Sequence, residues 1–251
     1  MESKALLKQG LEILCKNNNI KSHISPHFDN VVLLLNRYIK EIETFNSIYG
    51  LVGTNDTNEL IIKHILDSLA PLGIIYKLLN KTSLLPLRVP VPLCEISANC
   101  VSVPLCDSST INIADIGSGA GLPGIPLSIV LNQCNFTLIE RMGRRAGFLL
   151  NTKALLALSN VTIEEGDMEK TTPGCFDLVT FRAFKPMEPK LLKYLFKACK
   201  PGGIIAAYKG KIDKINEEMS LIEAQNIDWQ VIPYSVPFLE EERHLLIIKT
   251  K

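Results

Sequence analysis

A glycine-rich run from Asp115 to Gly124 (DIGSGAGLPG) constrains the fold of this chain more than any other feature. It directly follows an apolar segment at 111–114, and an apolar pattern typical of a helix begins at its end. Glycines let the backbone turn tightly and approach a ligand closely, because they carry no Cβ atom. A strand, a glycine-rich turn and a helix in this order predict a ligand site at the carboxyl end of a parallel strand.

Strand and helix patterns alternate along the rest of the chain. Strands are predicted over 111–116, 135–140, 161–165, 176–181, 203–208, 229–235 and 243–249, and helices over 124–132, 143–158, 187–199 and 211–226. Strands separated by such helices form right-handed crossovers and a mainly parallel sheet. The last connection is too short for a helical crossover, so the final strand should be antiparallel. We therefore predict an α/β fold with a doubly wound, Rossmann-like, seven-stranded sheet.

The first part of the chain is predicted to be helical. Apolar residues recur at helical spacing over 2–16, 27–46 and 56–69, and Asp56 suits an N-cap position. Prolines interrupt the stretch that follows and exclude a long helix. We predict three parts, namely a small N-terminal helical unit (1–72), an inserted or linking segment (73–110) with a short helix near 74–80, and a ligand-binding domain (111–251).

Two cofactors compete for the glycine-rich turn. Gly119, Gly121 and Gly124 match the G-x-G-x-x-G string of dinucleotide sites, but a lone match is weak evidence. The alternative register, with Gly117, Gly119 and Gly121 after Asp115, begins at the end of the strand. A carboxylate there favours the ammonium group of S-adenosylmethionine and repels a pyrophosphate. The sequence therefore favours the methyl donor over a nicotinamide cofactor.

Acidic residues also follow the next two strands. Glu140 ends the second strand, where a carboxylate can accept hydrogen bonds from the ribose hydroxyls of either cofactor. Met168 and Glu169 follow the third strand, in a loop that we expect to lie over an adenine ring.

Six segments together resemble the bacterial small-subunit rRNA (guanine-N7) methyltransferase family once named glucose-inhibited division protein B. They are His64–Ser68 (HILDS), Asp115–Leu127 (DIGSGAGLPGIPL), Leu138–Arg145 (LIERMGRR), Arg182–Phe184 (RAF), Tyr208–Gly210 (YKG) and Glu242–Leu245 (ERHL). The likeness covers nearly the whole chain except 73–110. A long segment here separates the HILDS helix from the glycine turn, where the family has a short connection.

This resemblance implies a Rossmann-like methyltransferase sheet and transfer of a methyl group from S-adenosylmethionine to N7 of one guanine in 16S rRNA near the decoding site. It implies cofactor contacts at Gly117, Leu122, Met168, Glu169 and Arg182, and it places Glu140 at the position of the family's ribose acid. Guanine N7 carries a lone pair and no proton, so no general base is expected and the task is to position the reactants. We expect Arg182, at the end of the fourth strand, to be the positioning residue.

Basic residues are the candidates for RNA contact. They are Arg141, Arg144, Arg145, Lys185, Lys209, Arg243 and His244, together with Lys190, Lys193 and Lys197 on the helix after the fourth strand. They could bind phosphates. His64 and Asp67 lie three apart on one helix and are too few for a metal site, so capping or packing is expected and no metal is predicted.

Composition restricts the partner and the compartment. The formal net charge is only +1, so an RNA-binding surface must come from local clustering. The seven cysteines form no Cys-x-x-Cys pair, and the first ten residues do not resemble a signal peptide. We expect a cytoplasmic monomer without a membrane span that acts on 16S rRNA within the small ribosomal subunit. A catalytically silent RNA-binding or ribosome-assembly protein and a nicotinamide-dependent oxidoreductase remain alternatives.

Overall fold

The computed structural model of the chain describes residues 2–17, 24, 27–81, 110–182, 186–222 and 227–250. Its centre is a seven-stranded sheet in the order β3-β2-β1-β4-β5-β7-β6. The strands are β1 Asn112–Ile116, β2 Asn135–Glu140, β3 Val161–Glu165, β4 Phe176–Arg182, β5 Cys199–Lys209, β6 Trp229–Tyr234 and β7 Arg243–Lys249. Strands β1 to β5 are parallel, and β7 is antiparallel to both of its neighbours. The predicted doubly wound sheet with an antiparallel last strand is confirmed.

Eight helices are described around this sheet. They are α1 Glu2–Asn17, α2 Phe28–Tyr49, α3 (Thr57–Leu60, a π-helical stretch Ile61–Leu66 and Asp67–Leu69), α4 Leu72–Lys81, α5 Gly124–Val130, α6 Gly143–Leu155, α7 Pro189–Ala198 and α8 Ile212–Ser220. Asp56 caps α3 as expected, because its Oδ1 accepts a hydrogen bond of 2.7 Å from the backbone N–H of Glu59. A short 3₁₀ turn at Met168–Lys170 follows β3.

Some predicted bounds differ from the structure. Helix α6 ends at Leu155 and not near 158, since Ala157 has a φ of 52°, which no helix allows. Strand β5 begins at Cys199, before the predicted start at 203. The prediction missed this start because Pro201 and Gly202 are typical of a turn, although here they lie within the strand. Part of the predicted linking segment, 82–109, lies outside the described residues. The end of the last predicted helix, 223–226, also lies outside them.

The two faces of the sheet are covered by different helices. One apolar cluster joins sheet residues such as Ile113, Leu138 and Leu178 to α1 through α6. A second joins Ala114 and Val179 to α7 and α8. Burying each large apolar side chain stabilises the fold by about 1.5–3 kcal/mol. The N-terminal helices thus share a core with the sheet, while the predicted division into three parts stays a prediction.

Among the residues that the structure describes, no helix combines the length and the apolar character needed to cross a membrane.

Candidate functional site

The glycine-rich turn leaves β1 in a left-handed conformation. Gly117, Gly119 and Gly121 have φ angles of 68°, 58° and 94°, which residues with a Cβ rarely adopt. The turn is tied to β2, because the N–H of Gly117 donates to the carbonyl of Ile139 at 2.9 Å. The turn lies at the point where the strand order reverses, with β2 on one side of β1 and β4 on the other.

The glycines of the turn serve different purposes. A Cβ on Gly119 would meet no atom closer than 3.9 Å, so this residue borders open space. A Cβ on Gly121 would lie 2.5 Å from Ile125 Cγ1, and one on Gly124 would lie 2.6 Å from Asp115 Oδ2. Gly121 and Gly124 are therefore needed for packing inside the fold. In the dinucleotide register Gly121 would be the glycine that faces the pyrophosphate, and its interior contacts disfavour that register.

Asp115 is a buried carboxylic acid directly beneath the turn. Its exposure is 0%, and its Oδ2 accepts a hydrogen bond of 3.0 Å from the N–H of Gly124. No described residue donates a hydrogen bond to its Oδ1. Burial raises the pKa of Asp115 to about 7, against the opposing effect of the Gly124 N–H. The predicted contact with an ammonium group stays a prediction, and Oδ1 is the atom available for it.

Glu140 ties the end of β2 to the glycine turn. Its Oε2 accepts from the N–H of Gly119 at 2.8 Å, and its Oε1 accepts from the N–H of Met142 at 2.9 Å. The side chain is buried, with 4% exposure. Carboxylate oxygens have two lone pairs each, so acceptor capacity remains for ribose hydroxyls.

The N-terminal helices reach the same turn. The buried Tyr38 of α2 donates its hydroxyl proton to the carbonyl of Ala120 at 2.7 Å. From the other side, Arg145 of α6 donates to the carbonyl of Gly50, which caps α2, at 2.8 Å. The turn is therefore held from outside the sheet by α2.

The other predicted cofactor residues also lie at this edge of the sheet. Leu122 is buried in the turn, with 6% exposure. Met168 is half-buried and packs on the second apolar cluster. Glu169 is exposed and forms an ion pair of 3.5 Å with Lys190. Both Met168 and Glu169 follow the carboxyl end of β3, and their contact with an adenine ring stays a prediction.

A cleft of about 520 Å³ opens beyond β4 at the same edge. Helix α3 lines it with Lys63, His64 and Asp67, and the strands contribute Phe181, Arg182, Tyr208, Lys209, Tyr234 and Arg243. Pro186, Gly210 and Glu218 complete its lining. Four of these side chains are lysine or arginine and two are carboxylates, so the cleft has an excess of positive charge.

Arg182 stands between the glycine turn and this cleft. Asp115 of β1 pairs with Thr180 of β4, so the turn and Arg182 lie at the same height on adjacent strands. Arg182 Nη1 donates to the carbonyls of Lys63 (3.1 Å) and His64 (3.3 Å). These carbonyls belong to the π-helical stretch of α3, a geometry that is frequent at functional sites.

His64 completes the cradle of this arginine. Its Nδ1 lies 2.8 Å from Arg182 Nη2. Burial, assisted by the Arg182 charge, lowers the pKa of His64 to about 4. The imidazole is therefore neutral near pH 7, and Nδ1 can accept the guanidinium proton.

Asp67 joins the two arginines of the cleft. Its Oδ2 lies 3.4 Å from both Arg182 Nη1 and Arg243 Nε. Its Oδ1 accepts from the hydroxyl of Tyr234 at 2.9 Å. The carboxylate has only 4% exposure, and such buried groups are expected to be paired. The expected packing role of Asp67 thus takes the form of a shared counter-ion.

Most of the predicted RNA-contact residues fall into two groups, and Arg145, which is half-buried and donates to the carbonyl of Gly50, belongs to neither. Arg141 and Arg144 are exposed after β2, while Lys190, Lys193 and Lys197 are exposed on α7, on the other side of the sheet. Lys209, Arg243 and His244 lie in or beside the cleft, where His244 Nδ1 contacts the carbonyl of Gly210. Lys185 lies outside the described residues. Their contacts with RNA stay predictions.

Sequence reasoning did not identify Lys63, Tyr208, Glu218 or Tyr234 as members of a site. One signal was present, since Asp67 follows Ile65 and Leu66 on the buried face of α3 and a charge there requires a partner. No pattern in the sequence indicates that the partners of Asp67 lie at the ends of β4 and β6 and at the start of β7. Within the described ranges, no group of three or more His, Cys, Asp or Glu residues could hold a metal ion.

Comparison with known proteins gives consistent matches. A family model for GidB, described as rRNA small subunit methyltransferase G, matches residues 95–246. A protein of Treponema denticola named ribosomal RNA small subunit methyltransferase G is 36% identical over 252 residues, covering 98% of this chain and 94% of that protein. Proteins of the same name from Treponema pallidum (37% identity, 86% of this chain and 84% of that protein) and Cellvibrio japonicus (32%, 84% and 83%) also match. The chain therefore belongs to the GidB family of small-subunit rRNA methyltransferases.

Proposed function

We propose that this protein transfers a methyl group from S-adenosylmethionine to N7 of a guanine in 16S rRNA near the decoding site. The observation that carries the proposal is that the glycine turn and a cationic cleft share one edge of the sheet, with Arg182 between them. Membership of the family and the names of the relatives support methylation of small-subunit rRNA.

The residues at the turn fit this cofactor. A Cβ on Gly119 would meet no atom closer than 3.9 Å, which leaves room for a ligand against the backbone, and no described residue donates a hydrogen bond to the buried Asp115 Oδ1. Gly117, Gly119 and Leu122 would hold the methionine part, with Asp115 facing its ammonium group and Glu140 facing the ribose. Met168 and Glu169 would flank the adenine. When bound, S-adenosylmethionine supplies an electrophilic methyl group on a sulfonium ion.

The residues of the cleft then orient the acceptor. Guanine N7 needs no deprotonation before it attacks, so the contribution of the protein is proximity, orientation and exclusion of water. Arg182 is held by four groups of α3 and keeps its Nε–H without a partner among the described residues. We assign it the role of positioning residue between cofactor and base.

Binding of RNA would use exposed cations on both sides of the sheet. Arg141 and Arg144 extend beyond β2, and Lys190 and Lys193 extend from α7. Each phosphate contact releases counterions, so the affinity for ribosomal subunits should fall steeply with salt. A nearly neutral protein with such clusters suits recognition by shape on an assembled particle. We infer that it acts in the cytoplasm as a monomer.

The proposal is tested by transfer of labelled methyl groups to unmodified small subunits, naked 16S RNA and large subunits. We expect label in small-subunit RNA at a guanine whose backbone is cleaved by aniline after borohydride reduction, which reports N7 methylation. Arg182→Gln should lower kcat/KM by about 100-fold because the acceptor is misplaced. Lys249→Gln, at the opposite edge of the sheet, is the charge-matched control.

Two outcomes would contradict the proposal. Tight binding to small subunits without methyl transfer would favour a silent assembly protein. Binding of a nicotinamide cofactor in place of S-adenosylmethionine would favour the oxidoreductase alternative.

A further inference from the structure

The cleft contains one ion pair that the proposed mechanism does not use. Lys209 ends β5 and Glu218 lies on α8, and Lys209 Nζ donates to Glu218 Oε2. The same Oε2 accepts from the N–H of Met187 at 2.9 Å. The two side chains have exposures of only 14% and 20%, yet both line the cleft.

Glu218 and Asp67, the two carboxylates of the cleft, differ in how many of their oxygens have a partner. Asp67 uses Oδ1 for Tyr234 and Oδ2 for both arginines. Glu218 uses only Oε2, and in the described part of the chain its Oε1 accepts no hydrogen bond. The cleft thus presents one unpaired carboxylate oxygen beside an ammonium group.

The edge of a guanine has the complementary pattern. Its O6 is an acceptor, and the adjacent N1–H and N2–H₂ are donors. Enzymes that act on a single base commonly take it out of the stack and bind this edge in a pocket. Adenine has a donor at position 6 and lacks the 2-amino group. Its 6-amino group would face the ammonium of Lys209, which is also a donor.

We propose that this cleft is the pocket for the acceptor base and that Lys209 and Glu218 select guanine. Lys209 donates to O6, and Glu218 Oε1 accepts from N1–H and N2–H. Neither contact uses N7, so the methyl acceptor stays free to face the glycine turn across Arg182. A volume of about 520 Å³ suits a ligand of this size. This inference rests on the proposed function.

The first test varies the base and leaves the protein intact. Small subunits are reconstituted with 16S RNA that carries guanine, inosine or adenine at the nucleotide mapped as the methyl acceptor. Inosine lacks only the 2-amino group of guanine. We expect the wild-type protein to methylate inosine with a kcat/KM about tenfold lower than guanine, and adenine with a still lower value. Equal rates on guanine and inosine would overturn the inference.

The second test varies the protein. Glu218→Gln should lower kcat/KM on guanine and bring the guanine-to-inosine ratio close to 1, since an amide cannot accept both protons with the same strength. The affinity for S-adenosylmethionine should stay unchanged. Glu217→Gln is the matched control, because Glu217 is the exposed neighbour on the same helix. An unaltered guanine-to-inosine ratio in Glu218→Gln would overturn the inference.

The two proposals fail in different ways. Transfer to guanine without discrimination against inosine leaves the proposed function standing and removes only the assignment of Lys209 and Glu218. Absence of transfer from the wild-type protein to any subunit overturns the proposed function and, with it, the pocket.

Discussion

The glycine turn and the cleft lie side by side at one edge of the sheet, but they are built in opposite ways. The turn is a contiguous run, and the partners of Asp115 are its own neighbours in that run. The cleft joins α3 to β4, β6 and β7 through Asp67, whose partners are 115, 167 and 176 residues away. A contiguous run can therefore specify the turn, whereas the cleft depends on the whole fold.

The largest effect is expected in the turn. Gly124→Ala would place a Cβ 2.6 Å from Asp115 Oδ2 and 3.1 Å from Leu138 Cδ1. We expect the free energy of unfolding to fall by about 3 kcal/mol and the affinity for S-adenosylmethionine to fall as well, measured by denaturant unfolding and calorimetry.

The matched control for this change is Gly147→Ala in α6, where a Cβ would meet nothing within 4 Å. It should be neutral or stabilise by up to about 1 kcal/mol, as alanine favours a helix. If both variants lose the same free energy of unfolding, the turn is no more sterically constrained than the surface of α6.

Loss of Asp67, the shared counter-ion of Arg182 and Arg243, should destabilise the cleft. Asp67→Asn leaves two guanidinium groups with a weaker partner, and we expect a loss of about 2 kcal/mol in unfolding free energy. The affinity for S-adenosylmethionine should change less than the rate of methyl transfer, which separates the cleft from the turn. Asp228→Asn, in an exposed pair with Lys249, is the control and should change stability by less than about 0.5 kcal/mol. If the Asp67 variant is as stable as this control, Asp67 does not stabilise the cleft as a shared counter-ion.

The pH dependence of cofactor binding tests Asp115. Burial raises its pKa to about 7 in the free protein, and an ammonium group at Oδ1 would favour the ionised form. The affinity for S-adenosylmethionine should therefore rise about tenfold from pH 5.5 to pH 6.5 and level off above pH 7. Asp115→Asn should give a flat profile in titration calorimetry, and wild-type affinity in that variant at pH 7.5 would contradict the contact.

The pKa of His64 is shifted in the opposite direction to that of Asp115, and this shift should make the stability of the fold depend on pH. Its folded-state pKa of about 4 lies below the ordinary value of 6.5, so between these values the unfolded chain binds a proton that the folded protein excludes. Stability from this group is complete above pH 6.5 and declines as the pH falls. The difference in unfolding free energy between wild type and His64→Gln should shift by about 1 kcal/mol from pH 6.5 to pH 5.5. A difference that does not change with pH would show that His64 titrates normally.

The same contrast explains what the sequence could predict. The order of strands and helices, the turn and the position of Arg182 follow from periodicity, from glycine spacing and from the rule that parallel strands end at one edge. The start of β5 was missed because Pro201 and Gly202 are typical of a turn, although they lie within this strand. Tyr234 and Glu218 were missed for another reason. Their place in the cleft depends on long-range packing, which no local pattern encodes.

The bond from Tyr38 to Ala120 has a consequence for how this protein can be observed. It joins α2 to the glycine turn, so we expect any tightening of that turn to be transmitted to the amide protons of α2. If the turn binds the cofactor as proposed, hydrogen–deuterium exchange across Phe28–Tyr49 should slow when S-adenosylmethionine is added. Exchange in α2 would then report cofactor occupancy by mass spectrometry without RNA.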